Sequence, residues 1–191
     1  MKNRHHETFY QNLLNTIKLK WNYQREISFL NKWTGKTIKE IIFDSSIHSY
    51  EKFESEFHEK VINRKELLFV VKSIDGYLFG QYVQSQIQSY GDNSWIEDEK
   101  SFIFSFKENI PIHYPILQKR KENAFKLCSK HSNGLFAMGF YDIFIRKHSD
   151  ICTFYQGNDC SFDYNGKCCP IVGKIGFGTS FKIDHIWLFK L

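Results

Sequence analysis

Residues 67–83 read LLFVVKSIDGYLFGQYV, and no other stretch restricts the fold as much. Leu67 to Val71 are apolar at every position. A strand with one wet face alternates, so an unbroken apolar run predicts a strand covered on both sides, inside a sheet. Asp75-Gly76 follows, a dipeptide suited to positive φ and hence to a tight reversal between antiparallel strands. YLFGQYV then returns as the partner. Gly80, in its middle, weakens a strand unless a neighbouring backbone, a bulky ring or a bulge needs the room a side chain would take.

The rest of the chain supports a mainly β reading. SFIFSF, AFKLC, GLFAM and YDIFI are further short strands divided by Gly, Asn and Ser turns. In the closing FKIDHIWLFKL, Phe181, Ile183, His185, Trp187, Phe189 and Leu191 occupy one face. The other face is charged at its ends and apolar at Ile186 and Leu188, the pattern of a strand whose middle lies inside a sandwich. Two amphipathic helices are expected before the strands. Over 7–32, Phe9, Leu13, Ile17 and Trp21 recur every fourth residue, Ile27 and Leu30 renew the stripe, and Trp33-Thr34-Gly35 ends it. TIKEIIFDSS reads as a strand, and SYEKFESEFHEKVI as a second helix with Ser49 as its cap and Tyr50, Phe53, Phe57 and Val61 as its stripe; His58 falls off that stripe and reads as a surface histidine. The expected architecture is α+β and mainly β: a sandwich of two antiparallel sheets flanked by short helices, preceded by an amphipathic helix. The expected division is a basic helical segment, 1–33, and a β domain, 34–191.

With 191 residues, 19 Phe, 10 Tyr and three Pro, the chain has material for one sizeable core and no disordered tract. No run of about 18 uncharged apolar residues is present, the start lacks an apolar secretory stretch, and five cysteines suit reduced thiols. An intracellular protein is expected, cytoplasmic first, with the nucleus or the surface of a vacuolar or lysosomal membrane as alternatives. Residues 1–35 carry six Lys and Arg against two Glu, a local +4 within a total of +5. Such a segment suits nucleic acid, an anionic membrane or an acidic partner, and equally a plain solvated helix face.

Catalytic patterns are few. There is no Gly-x-Ser-x-Gly elbow, His-Glu-x-x-His or Walker loop. GKIGFGTSF, 173–181, is followed by a strand where a phosphate loop needs a helix N-terminus, so its glycines read as turn residues. Cys128 and His131 have a zinc-like spacing without a second ligand pair, and no Cys-x-x-Cys is present. Glu97-Asp98-Glu99 reads as a polar loop, and His185 as a satisfied core histidine. No catalytic residue, cofactor or metal is assigned.

Taken in order, IIFDSSIHSYEKFESEFHEKV, LLFVVKSIDGYLFGQYV, SFIFSF, GLFAMGFYDIFI and FKIDHIWLFKL resemble the TLDc domain family over about residues 34–191. The matching motif residues are Phe79, Gly80, Tyr82, Gly139, Asp142 and Trp187. Gln81 stands where many members have a second glycine, the glycine cluster around Gly139 is thinned, and Asp184-His185 replaces an acidic pair before Trp187. The resemblance implies a two-sheet sandwich without established catalysis, an association with protection against oxidative stress, and in several members binding to and regulation of the vacuolar proton pump.

Three functions follow as expectations. The first is a non-enzymatic interaction module for a protein partner, a subunit of the vacuolar proton pump being one the resemblance suggests, with self-association through the N-terminal helix open. The second is nucleic-acid binding through Lys18, Lys20 and Arg25, interleaved with Tyr10, Trp21 and Tyr23. The third is a thiol-based redox sensor or enzyme.

Overall fold

The computed structural model describes residues 23–51, 55–91, 94–107, 110–147, 152–154, 160–165, 171 and 179–191. Two six-stranded antiparallel sheets dominate it. The first has the order β1 (Glu40–Asp44), β12 (Ile183–Lys190), β2 (Leu67–Ser73), β3 (Leu78–Val83), β5 (Phe102–Lys107) and β6 (Ile110–Pro115). The second runs β11 (Thr179–Phe181), β10 (Cys152–Phe154), β9 (Ile143–Arg146), β8 (Gly134–Met138), β7 (Phe125–Leu127) and β4 (Trp95–Ile96). The sandwich expected from the sequence is present.

β2 is the central strand its composition demands. Leu67, Phe69 and Val71 point between the sheets, Leu68 and Val70 point to the opposite face, and all five are fully buried. Between the sheets the packing is largely aromatic. Phe57 stacks on Phe136 at 5.5 Å, and Phe69 packs on Phe125 at 4.5 Å and on Phe136 at 5.2 Å. The Asp75-Gly76 reversal is a little wider than a two-residue turn: Ser73 N donates to Tyr77 O, and Gly76, at φ 84°, donates back to Ser73 O.

The outer face of the first sheet is covered by α1 (Gln24–Thr34). Leu30 is fully buried there beside Leu68, Val70, Phe104, Trp187 and Phe189, and Trp33 lies 5.6 Å from Phe106 and 4.7 Å from His113, ring to ring. Gly35, at φ 66°, ends the helix as expected, and the Thr34 hydroxyl donates to Leu30 O at 2.8 Å. The stripe expected over 7–22 lies outside the described residues.

Three local expectations are corrected. The second helix, α2, spans only Glu56–Val61 with Ser55 at its N-cap position. Ser49 instead secures the loop before it, accepting from Glu56 N and donating its own N–H to the Glu56 carboxylate. His58 is buried, because one turn of α2 directs it inward as well as Phe57 and Val61. In β12 the pairing with β2 shifts between Ile183 and His185. Phe181 belongs to β11 of the second sheet and packs with Ile183 in the inter-sheet core, whereas beyond the irregularity Trp187, Phe189 and Leu191 face α1, so the uniform face read from the sequence is split.

Candidate interaction surface

The outward face of the second sheet belongs to neither core cluster. Alternation along β7 and β9 sends Phe125, Leu127, Ile143 and Ile145 inward, which leaves Lys126, Phe144 and Arg146 on the other side. Trp95 of β4 and the β8–β9 turn, Gly139 to Asp142, complete the surface.

That turn is held from below. The Asp142 carboxylate is buried and accepts from Ser161 N at 2.8 Å, Ser161 Oγ at 2.8 Å and Tyr164 Oη at 3.3 Å. Burial pushes its pKa up to about 6, the hydrogen bonds opposing the shift. Gly139 has φ 62°, and a Cβ there would stand 2.7 Å from Ser161 Cβ and 2.9 Å from Asp142 Oδ1. Gly139 and Asp142 therefore share one cluster with Ser161. Asp142 stands in the turn, and the strand begins after it, at Ile143. Tyr141 is in the left-handed region at φ 63°, unusual for a residue with a side chain.

The effect is to set the Phe140 ring toward solvent, with Tyr141 half-buried beside it. Phe140 is 49% exposed, 5.2 Å from Trp95 and 5.7 Å from Tyr141, ring to ring. Tyr141 packs edge-on against Trp95 at 5.2 Å and Phe144 at 5.5 Å. The Lys126 ammonium donates to Tyr141 Oη at 2.8 Å and lies 5.2 Å from both the Trp95 and Tyr141 rings, where the ring faces attract a cation. Phe140, Tyr141, Phe144 and Arg146 line an open cleft of about 440 Å³.

The other motif residues lie elsewhere. Phe79 is in the inter-sheet core, 5.3 Å from Phe181. A Cβ at Gly80 would stand 1.9 Å from Phe69 O and 2.6 Å from Phe104 Cζ. Tyr82 and Trp187 pack under α1; the Tyr82 hydroxyl is buried without a hydrogen-bond partner, and burial raises its pKa. Gln81, on the inward side, donates to Ser101 Oγ and Ala124 O, both at 2.7 Å, and so ties the first sheet to the approach to β7. Arg25 lies on α1 with its guanidinium 6.0 Å from the Phe29 ring, and Lys18 and Lys20 lie outside the described residues.

Several polar groups that the sequence left as surface or loop have structural duties. Asp98 is buried and accepts from the backbone N–H groups of Gln84, Ser85 and Lys100. His58 Nε2 lies 2.8 Å from Cys128 O, and burial lowers its pKa to about 4. His185 is half-buried, not a core residue: Nε2 bonds Asp44 Oδ1 at 2.7 Å and the ring stacks on Trp187 at 4.0 Å. Among the described residues, no group of three or more His, Cys, Asp or Glu could hold a metal. Burial pushes the Cys152 thiol up to about 11, away from the thiolate form that redox chemistry uses. Cys168, Cys169 and most of GKIGFGTSF lie outside the described residues.

Among the described residues, a double antiparallel sandwich clad by a helix on one sheet and by the Trp95, Tyr141 and Phe144 rings on the other, with an aromatic turn at its edge, is the architecture of a β-sandwich module. The chain belongs to the TLDc domain family, whose model matches residues 14–191, nearly its full length. No curated protein matches it. Among the described residues, no helix is long and apolar enough to cross a membrane.

The signal for this surface was in the sequence. GFYDIFIR sets three aromatic residues about a glycine and an aspartate, and the strand expected over YDIFI took in Tyr141 and Asp142, which stand in the turn.

Proposed function

We propose that the chain is a non-enzymatic protein-interaction module of the TLDc type, and that the outward face of the second sheet is where it meets its partner. The observation that carries this is the Phe140-Tyr141 turn: an exposed Phe140 ring beside a half-buried Tyr141 ring, on a backbone fixed by the buried Asp142–Ser161 hydrogen bonds. Rigid aromatics bury large area at small entropic cost, which is why such residues anchor interfaces. Residues 1–33 serve as a second, basic handle, its last part docked through α1, and 34–191 as the TLDc-like domain. The family resemblance supplies the finer reading, in which the partner is a subunit of the vacuolar proton pump and the cellular setting is oxidative-stress protection.

Cross-linking the full chain to its neighbours in cells, followed by mass spectrometry, tests this. A reproducible set of proteins is expected, depleted in a Phe140→Ser/Phe144→Ser variant that keeps its thermal stability. Pump subunits within that set support the finer reading. An identical set from the variant would rule out this face.

A further inference from the structure

The cleft beside Tyr141 combines two kinds of wall. Among the described residues its lining is three rings, Phe140, Tyr141 and Phe144, and Arg146. The Arg146 guanidinium lies 5.5 Å from the Phe144 ring centroid, and its Nε is buried with no hydrogen-bond partner. Among the described residues, no carboxylate pairs with Arg146 and none lines the cleft. The neighbouring acids are engaged elsewhere: Asp142 faces inward to Ser161, and Glu97 pairs with Lys121 at 2.9 Å. A guanidinium that, among the described residues, has no anion and lines a cleft with three rings is complementary to a side chain that is apolar followed closely by a negative charge.

We infer that this cleft binds an acidic segment of a protein partner, with an aromatic or aliphatic side chain between Phe140 and Phe144 and a carboxylate on Arg146. This rests on the interaction reading above and names the chemistry of the partner. A guanidinium offers a planar pair of donors that matches a carboxylate, and stacking on Phe144 fixes its plane. Phosphate recognition gathers several cations around one group. Among the described residues Arg146 is the one cation lining the cleft, the Lys126 ammonium being buried against the Trp95 and Tyr141 rings. Nucleic acid needs a stripe of cations to track a backbone, and the lining supplies one.

Selection of a random dodecapeptide phage library on the immobilised full chain tests the assignment. Recovered peptides are expected to carry Asp or Glu within two residues of an aromatic or aliphatic residue. Their binding, read by fluorescence polarisation of the synthetic peptides, should fall tenfold or more in Arg146→Gln and in Phe140→Ser, and less in Arg146→Lys, which keeps the charge and loses the fork. Thermal melts of each variant separate lost binding from lost fold. Failure to enrich any peptide, peptides without acids, or binding unchanged in Arg146→Gln overturns the acidic-segment assignment. Peptides without acids that are nonetheless lost in Phe140→Ser would overturn it while leaving the interaction face standing. Peptides indifferent to both substitutions would remove the face itself.

Discussion

Gly80 lies opposite Phe104 in the β3–β5 ladder, and the Phe104 ring fills the place where a side chain at position 80 would be. The ring comes within 2.6 Å of a Cβ built there, and the carbonyl oxygen of Phe69, on the flanking strand, within 1.9 Å. The glycine is thus the condition for three adjacent strands to close up beneath α1.

Gly80→Ala should cost about 3 kcal/mol or more, since one clashing atom is backbone and cannot rotate away. Gly76→Ala is the control. Its Cβ would meet nothing within 4 Å, so only the left-handed backbone is penalised, by about 1–2 kcal/mol. Urea unfolding midpoints of the two variants should differ clearly, and equal midpoints would contradict the packing account.

Removing the Asp142 carboxylate strands two donors of Ser161 in a buried site. Asp142→Ala is expected to destabilise by about 2–4 kcal/mol. Asp142→Asn, which keeps one acceptor oxygen, should cost less. The alanine variant should also free the aromatic turn, visible as faster amide exchange at Phe140 and Tyr141.

Two buried groups give stability opposite pH dependence. Asp142 has its folded pKa raised from 3.8 to about 6, so its contribution is complete below about pH 4 and is lost as pH rises through 6. His58 has its folded pKa lowered from 6.5 to about 4. A carbonyl only accepts, so Nε2 carries a proton, and burial keeps the ring neutral; its contribution is complete above pH 6.5 and lost as pH falls toward 4. From pH 6.5 to 4, Asp142→Asn should therefore lose stability more steeply than the parent chain, and His58→Gln less steeply. Denaturation at five or six pH values separates the two, and parallel curves for all three proteins would refute both assignments.

α1 is bound to the first sheet chiefly through Leu30 and Trp33. Trp33→Ala should cost about 2–3 kcal/mol, below the range for a wholly enclosed tryptophan because Trp33 is only half-buried. A chain starting at residue 36 would bare Leu68, Val70, Phe104 and Phe189 together, and it should self-associate in light scattering while the full chain does not. A monodisperse truncated chain would mean that the helix does not shield that face.

Where chain pattern and covering layer coincide, the fold was legible in the sequence. The apolar run of β2 announces a doubly covered strand, and the strand is doubly covered. The Gly35 stop ends α1 where expected. What escaped is set by distant groups. The irregular register in β12 depends on how the strand meets β2, and a period-two reading carries no sign of it. His58 and Asp98 are polar residues whose partners, Cys128 O and the Gln84 and Ser85 amides, are brought to them only by the folded chain. The candidate surface was half legible: Gly139 and Asp142 stood out as motif residues, but the positive φ of Tyr141 and the isolated charge of Arg146 are properties of the assembled turn.

The unequal cladding of the two sheets divides the molecule by tolerance to change. Side chains of β2 and β3, in the middle of the first sheet, are almost all gripped by a second layer, so altering one disturbs a neighbour. At position 140, by contrast, half of the ring faces water, and descendants of this chain are freer to exchange that residue and acquire new binding habits while the scaffold stays as it is.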